Sequence, residues 1–255
     1  MRRFKYWRLR RAPFHRRFPS RSDFVLNHVD RRMAVNRARG YIYFRIPKAA
    51  NSTISLRLAQ ESDPAIDNAE DAKRWFLRGR DLVADEVARL RERFLLFTFA
   101  RDPYARLASS YLDKVERMKG RQTRALAASH SLDDTPLSFL EFCRHLQRNG
   151  VYEDPHWFPQ TTFIPCGVDQ LHIIGRCEDL DATYDDISRR IARGSKGARP
   201  GRGTWDSHRT GAEQRLVDLY CTESLDIVRG LYAADFDALG YDPCPDWSRA
   251  LGAAQ

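Results

Sequence analysis

The apolar pattern of this chain changes period abruptly at residue 47. Tyr41, Ile42, Tyr43, Phe44, Arg45 and Ile46 form an aromatic and β-branched run that predicts a strand. Pro47 ends it. Ile54, Leu56 and Leu58 then take up a helical spacing behind Asn51, Ser52 and Thr53, whose amide and hydroxyl groups suit a helix start. RFLLFTFA, residues 93–100, is almost continuously apolar, as expected for a central strand covered on both faces. Pro103 suits the first turn of the helix behind it, Asp102 its cap, and Leu107, Tyr111, Leu112 and Val115 its apolar stripe. QLHIIGR, residues 170–176, predicts another short strand.

Elsewhere the pattern is helical or broken. Residues 63–93 are polar with an intermittent apolar face of Trp75, Phe76, Leu82, Val83, Val87 and Leu90. Residues 136–147, LDATYDDISRRIARG and residues 211–233 each predict a helix, the last one long and amphipathic. Residues 119–134 and the Gly-rich, basic GSKGARPGRGTWDS predict loops. VYEDPHWFPQTTFIPCG, with three prolines and many aromatics, predicts an ordered irregular loop over the sheet. No internal repeat is present. Strands alternating with helices predict an α/β fold of three layers, a central parallel sheet flanked by helices. Ligands of such sheets sit outside the carboxyl ends of the strands. The turns after Ile46 and Ala100 lie at such ends.

Length and charge refine this picture. The 255 residues suffice for one sizeable α/β domain, and two complete domains would be cramped. No window approaches the roughly 18 apolar residues of a membrane span, so a soluble body is expected. The five cysteines, Cys143, Cys166, Cys177, Cys221 and Cys244, lack a C-x-x-C pair, and reduced thiols in a cytosolic setting are expected. The net charge of +9 is uneven: residues 1–40 hold 13 Lys and Arg against Asp23 and Asp30, for +11, and the remainder holds 30 basic and 32 acidic residues, for −2. The expected division is therefore a basic aromatic arm over 1–40 and a domain over 41–255.

The arm lacks the apolar core of a secretion signal. It reads either as a solvated, partly disordered tail or as a surface-binding element. On the second reading, Phe4, Tyr6, Trp7, Leu9, Phe14 and Phe18 interleave with the cations of residues 1–21 for peripheral contact with an anionic membrane or glycan. Nucleic acid would attract the same charge, but no zinc-finger or RNA-binding signature accompanies it, which argues against that partner.

Lys48 lies in a strand-to-helix turn, where backbone N–H groups and the positive end of a helix dipole converge on one spot. PKAANST is not a Walker loop, because the required glycines are absent. A capped helix with a surface lysine is the plainer alternative. Arg101 leaves the next strand, with Ser109 two helical turns on, and together they offer a fork of donors and a hydroxyl to a phosphate. Arg101 could instead pair with Asp102. Two anion cradles at neighbouring strand ends suit a ligand with separate phosphates on opposite sides of a nucleoside.

These residues resemble the PAPS-dependent sulfotransferases, in particular the carbohydrate sulfotransferase branch with its P-loop-like fold. IPKAANST resembles the 5′-phosphosulfate loop, and FARDPYARLASSY the 3′-phosphate motif, including the step from Arg101 to Ser109. HWFPQ, HIIGRCEDLDATYDDI and LYAADFDALGYD resemble further elements of the branch, so the likeness runs from about residue 41 to 243 and leaves out the arm. It implies transfer of a sulfuryl group from 3′-phosphoadenosine 5′-phosphosulfate, as co-substrate, to a hydroxyl of a carbohydrate or glycolipid. Lys48, Ala49, Ala50, Asn51, Ser52, Thr53, Arg101 and Ser109 would bind the donor, with Lys48 also following charge onto the bridging oxygen. No metal is implied, since the sulfuryl group carries less charge than a phosphoryl group.

The proton acceptor is harder to assign. Residues 54–100 contain no histidine, and Glu61, Glu70, Glu86 and Glu92 lie in polar helical sequence where a solvated face is expected. His156, in an aromatic and proline-stiffened loop, is the best candidate, against the alternative that it only shapes the acceptor pocket. His208 ranks lower, as does His172 in an expected buried strand. Arg176 and Glu178 read as bracing the site or as a buried ion pair, and Lys196, Arg199 and Arg202 as closing over the 3′-phosphate or as solvated charge. The rival functions are a nucleotide-dependent phosphotransferase and a non-catalytic polyanion-binding module. The branch's eukaryotic members have a membrane anchor and a disulfide-permissive lumen, so a bacterial-type relative, cytoplasmic and peripheral at the inner membrane face, is expected.

Overall fold

Tyr41–Phe44 (β2) is buried throughout, as are five of the six residues of Leu95–Ala100 (β3), which is why neither run alternates with polar residues. The two pair in parallel, Tyr41 with Leu95 through Phe44 with Thr98, and β3 pairs in parallel with Ile173–Arg176 (β4). This computed structural model describes residues 2–117, 135–194 and 215–248. The loop expected at 119–134 and all but Gly194 of that expected at 194–207 lie outside them, with Lys196, Arg199, Arg202 and His208. Met33–Asn36 (β1) completes a four-stranded sheet of order β1-β2-β3-β4, pairing antiparallel with β2. The fold is the expected α/β, with a mostly parallel sheet flanked by helices.

The described residues form two compact units. One takes the residues up to Ala100 and those from Gln160 to 194, the other those from Arg101 to Pro159 and from 215 to 248. The first holds the sheet, α1 (Arg2–Arg11), α2 (Pro13–Arg17), α3 (Asp23–Asp30), α4 (Asn51–Gln60), α5 (Ala69–Trp75), α6 (Ala84–Ala88) and α7 (Leu90–Arg93). The second holds α8 (Pro103–Ser110) and α9 (Phe139–Asn149). Leu180–Gly194 (α10) returns to the first, and α11 (Leu216–Leu219), α12 (Thr222–Leu231) and α13 (Ala233–Leu239) belong to the second.

Side chains alternate across the sheet. Ala34, Tyr41, Tyr43, Phe97 and Phe99 form one face and pack with Ile54 and Leu58 of α4, Ala72 of α5, Phe76, and Tyr184, Ile187 and Ile191 of α10. The rings of Tyr43 and Phe97, which are register partners, stack at 5.2 Å and 6°. Gly175 must be glycine: a Cβ there would stand 2.7 Å from the Phe99 ring and from Thr183.

The boundary expected at residue 40 is corrected, because it falls inside the hairpin of β1 and β2. β1 is only four residues, all buried, flanked by Arg31, Arg32, Arg37 and Arg39, so its apolar content is lost in a basic run. The segment before it is also packed: Leu9, Phe14, Val25, Leu26 and Val29 are buried. His15 Nε2 lies 2.9 Å from Asp30 Oδ1, which also accepts from the Arg80 backbone N–H at 2.9 Å, and the Arg80 guanidinium is 2.5 Å from Oδ2. This cluster ties α2, α3 and the Gly79–Asp81 turn together.

The long helix expected over 211–233 is also corrected. Its described part breaks at Tyr220, which is extended with a buried hydroxyl donating to the Tyr104 carbonyl at 3.0 Å. Tyr104 in turn packs against the rings of Tyr220, Phe236 and Trp247. The other caps follow their sequence signals: Asp102 Oδ1 accepts from Ala105 N at 2.9 Å, and Ser138 and Glu141 form a capping box before α9.

Burial alone would push the Asp30 carboxyl up, but the His15 bond and the Arg80 charge outweigh it and hold it below its ordinary value. Its contribution to stability is therefore present above the unfolded pKa of 3.8 and lost as pH falls below it. Asp30→Asn should cost about 3–5 kcal/mol in urea unfolding at neutral pH, and should flatten the loss of stability on acidification below 3.8.

Candidate functional site

The chain leaves β2 through Arg45, Ile46 and Pro47, all buried, and then turns by an uncommon route. Lys48 has φ 66 and Ala50 φ 50, the non-glycine residues with left-handed backbone among those described. Each costs on the order of 1–3 kcal/mol. Alternating left-handed residues gather successive N–H groups into an anion-binding concavity. Ala50 is the N-cap of α4, with no side-chain cap, so the capping expected from Asn51, Ser52 and Thr53 is not what starts the helix. Asn51 Oδ1 instead accepts from Ser55 Oγ at 3.1 Å. The first-turn N–H groups have no carbonyl four residues back within the helix, and they lie beside the half-buried Lys48. Lys73 of α5 adds a second ammonium, donating to Ser52 Oγ at 2.6 Å.

The far end of α4 is bound to its neighbours. The Glu61 carboxylate, 2% exposed, is 2.8 Å from the Arg39 guanidinium and accepts from the Tyr184 hydroxyl at 2.5 Å and the Ser188 hydroxyl at 3.0 Å. Arg57 reaches Asp181 at 2.8 Å. Glu61 follows the ten residues of α4, about 15 Å from the Lys48 turn, too far for proton transfer there. Glu86 is likewise bound, bidentate to Arg37. For Glu61 and Glu86 the expected solvated face is thus corrected, whereas Glu70 and Glu92 are exposed.

In the second unit, half-buried Arg101 precedes α8, and Ser109 lies buried in that helix. The next residue, Ser110, donates from Oγ to the His156 carbonyl at 2.8 Å. Tyr232 OH donates to the Trp157 carbonyl at 2.6 Å and Arg106 Nη1 to the Phe158 carbonyl at 2.8 Å. Three successive carbonyls are therefore pinned. Asp154 Oδ1 accepts from the His156 backbone N–H at 2.8 Å and stands 2.5 Å from its Nδ1. A carboxylate there selects the Nδ1–H tautomer, which leaves Nε2 as the basic nitrogen.

The structure thus groups Lys48–Thr53 in one unit and Arg101, Ser109 and His156 in the other. His172 is exposed, not buried, and its Nδ1 accepts from Leu96 N at 3.0 Å. Arg176 and Glu178 are exposed, which corrects the buried pair. All five cysteines are free. Among the described residues no cluster of His, Cys, Asp and Glu could hold a metal, and no helix is long and apolar enough to cross a membrane. Sequence reasoning missed Lys73, Asp154, Arg106 and Tyr232. Asp154 had a signal, since Asp two residues before a backbone N–H forms an Asx turn.

Comparison with known proteins points the same way. The model of the sulfotransferase family matches residues 31–242. Carbohydrate sulfotransferase 14 of Danio rerio is 25% identical over 253 residues, covering 89% of this chain and 65% of that protein. The chain thus spans a little under two thirds of that relative's length. No solved structure matches.

Strain at the turn can be measured. Ala50→Gly should stabilise the fold by up to about 1 kcal/mol, the relief of left-handed backbone exceeding the added chain entropy. Ala50→Val should destabilise it, both read by urea unfolding.

Proposed function

The chain belongs to the sulfotransferase family, and from that premise we propose that it moves a sulfuryl group from 3′-phosphoadenosine 5′-phosphosulfate to a hydroxyl of a carbohydrate acceptor, free or lipid-linked. The observation that carries this reading is the loop between β2 and α4, which collects two left-handed residues, an ammonium and a helix start within six positions. Such a loop suits a phosphosulfate better than a triphosphate, because it lacks the glycines of a Walker cradle. The acceptor class is supported by the name of the relative.

On this reading the acceptor oxygen bonds to sulfur as the bond from sulfur to the bridging oxygen breaks, leaving a sulfate ester and 3′,5′-bisphosphoadenosine. The Lys48 ammonium offsets the charge gathering on the bridging oxygen. Ala49, the N–H groups of Ala50 and Asn51, and the Ser52 and Thr53 hydroxyls hold the 5′ end, while Arg101 and Ser109 take the 3′-phosphate. His156 Nε2 accepts the proton of the acceptor hydroxyl, with Asp154 holding the ring.

We also propose peripheral contact of residues 1–21 with an anionic bilayer. These residues hold nine Lys and Arg and no Asp or Glu. On α1, Phe4 and Trp7 are 64% and 50% exposed and stack at 5.7 Å, with the Arg11 guanidinium 4.3 Å from the Trp7 ring. Phe4, Trp7, Arg8 and Arg11 follow helical spacing and share a face, which suits rings at the acyl boundary and cations among headgroups.

Incubation with radiolabelled sulfate donor and a panel of carbohydrates should yield a sulfated product. Transfer of phosphate instead, or binding without turnover, would overturn the reading. Lys48→Ala should lower kcat about a hundredfold or more, Arg101→Ala should chiefly raise the donor KM, and His156→Ala should remove the acid limb of the pH–rate profile. In co-sedimentation, the protein should bind phosphatidylserine vesicles over neutral ones, less so at high salt or after Phe4→Ala with Trp7→Ala. Equal partition onto both lipids would remove the membrane proposal.

A further inference from the structure

Lys73 lies where the sequence pattern predicts a polar helix face, yet it is half-buried. Ala72 of α5 and Phe76 just beyond it, four residues apart, are buried against the sheet, which fixes the roll of the helix. Asn68 sets its start, accepting on Oδ1 from Glu70 N and Asp71 N. With α5 so held, the Lys73 ammonium reaches Ser52 Oγ at 2.6 Å.

A lysine ammonium has three donors and no acceptor, so the serine oxygen accepts in this bond. The serine hydroxyl hydrogen is thereby turned away from Lys73, and no described residue accepts from it. Ser52 is exposed, in the first turn of α4, beside the left-handed turn of Lys48 and Ala50. A hydroxyl polarised by a cation on its oxygen is a stronger donor through its hydrogen. We infer that Lys73 is a positioning residue of the donor site, which presents the Ser52 hydroxyl as a committed hydrogen-bond donor to an oxyanion at the 5′ end of the nucleotide. The inference rests on the sulfotransferase reading of that loop, and it adds a contact from α5, outside every motif that resembles the family.

The test is a double-mutant cycle read by calorimetry with 3′,5′-bisphosphoadenosine, on wild type, Lys73→Met, Ser52→Ala and the double variant. Thermal melts on all four show whether each remains folded. Each single change should weaken binding about tenfold, and the double change should be no worse than the stronger single, because Lys73 acts through Ser52. Lys73→Arg should restore part of the affinity. Wild-type binding with unchanged affinity in Lys73→Met, or with losses that add, would overturn the inference while leaving the donor site intact. Failure of the wild type to bind the nucleotide would overturn the sulfotransferase reading, and the inference with it.

Discussion

Parallel pairing of β2 with β3 is the constraint on which the rest depends. Two strands running the same way end at the same edge, so the chain leaves that edge twice, once after Phe44 and once after Ala100. The register is held by what is buried. Tyr43 stacks on Phe97 on one face, and on the other Thr98 Oγ1 donates to the Phe44 carbonyl at 2.7 Å. A slip of one residue would turn each side chain to the wrong face. That would bring Thr98 against α4 and α10 and remove the ring stack.

α4 is fixed by its tail and shaped at its head. Arg57 and Glu61 make their bonds to Asp181, Arg39, Tyr184 and Ser188. Burial, with the Glu61 carboxylate beside it, pushes the Tyr184 phenol far up, so it remains the donor to Glu61 at any working pH. These partners come from α10 and the β1–β2 turn and set the helix axis against the sheet. The strained backbone at Lys48 and Ala50 then has a fixed frame to work against. A helix free to shift by a turn would let those residues relax to ordinary dihedrals.

Local chemistry was legible in the sequence, and long-range arrangement was not. The three parallel strands and the Pro103 helix start with its Asp102 cap could be read because each is written within a few adjacent residues. β1 escaped because four apolar positions inside a basic run do not outweigh the charge around them. The break at Tyr220 escaped because its cause is the Tyr104 carbonyl, 116 residues away. The left-handed residues escaped for another reason: glycine is the usual mark of such backbone, and here lysine and alanine adopt it. Lys73 looked like one more solvated cation, since only the packing of α5 on α4 brings it to Ser52.

His156 shows both kinds of control at once. Its ring is oriented by Asp154, two residues earlier, whereas its place is set by Ser110, Arg106 and Tyr232, 46 to 75 residues from the carbonyls they hold. Arg106 is 1% exposed. Desolvating a guanidinium costs several kcal/mol, and a hydrogen bond from a charged group returns about 1.5–3 kcal/mol, so the bond to Phe158 offsets part of that cost. The guanidinium also supplies direction, since its planar fork fixes the line of the bond to the Phe158 carbonyl. With neighbouring carbonyls on the same segment held as well, the loop loses the local motion that would let the imidazole wander. On the proposed reading, that is what a proton acceptor requires, because its contribution depends on Nε2 already standing where the acceptor hydroxyl will be.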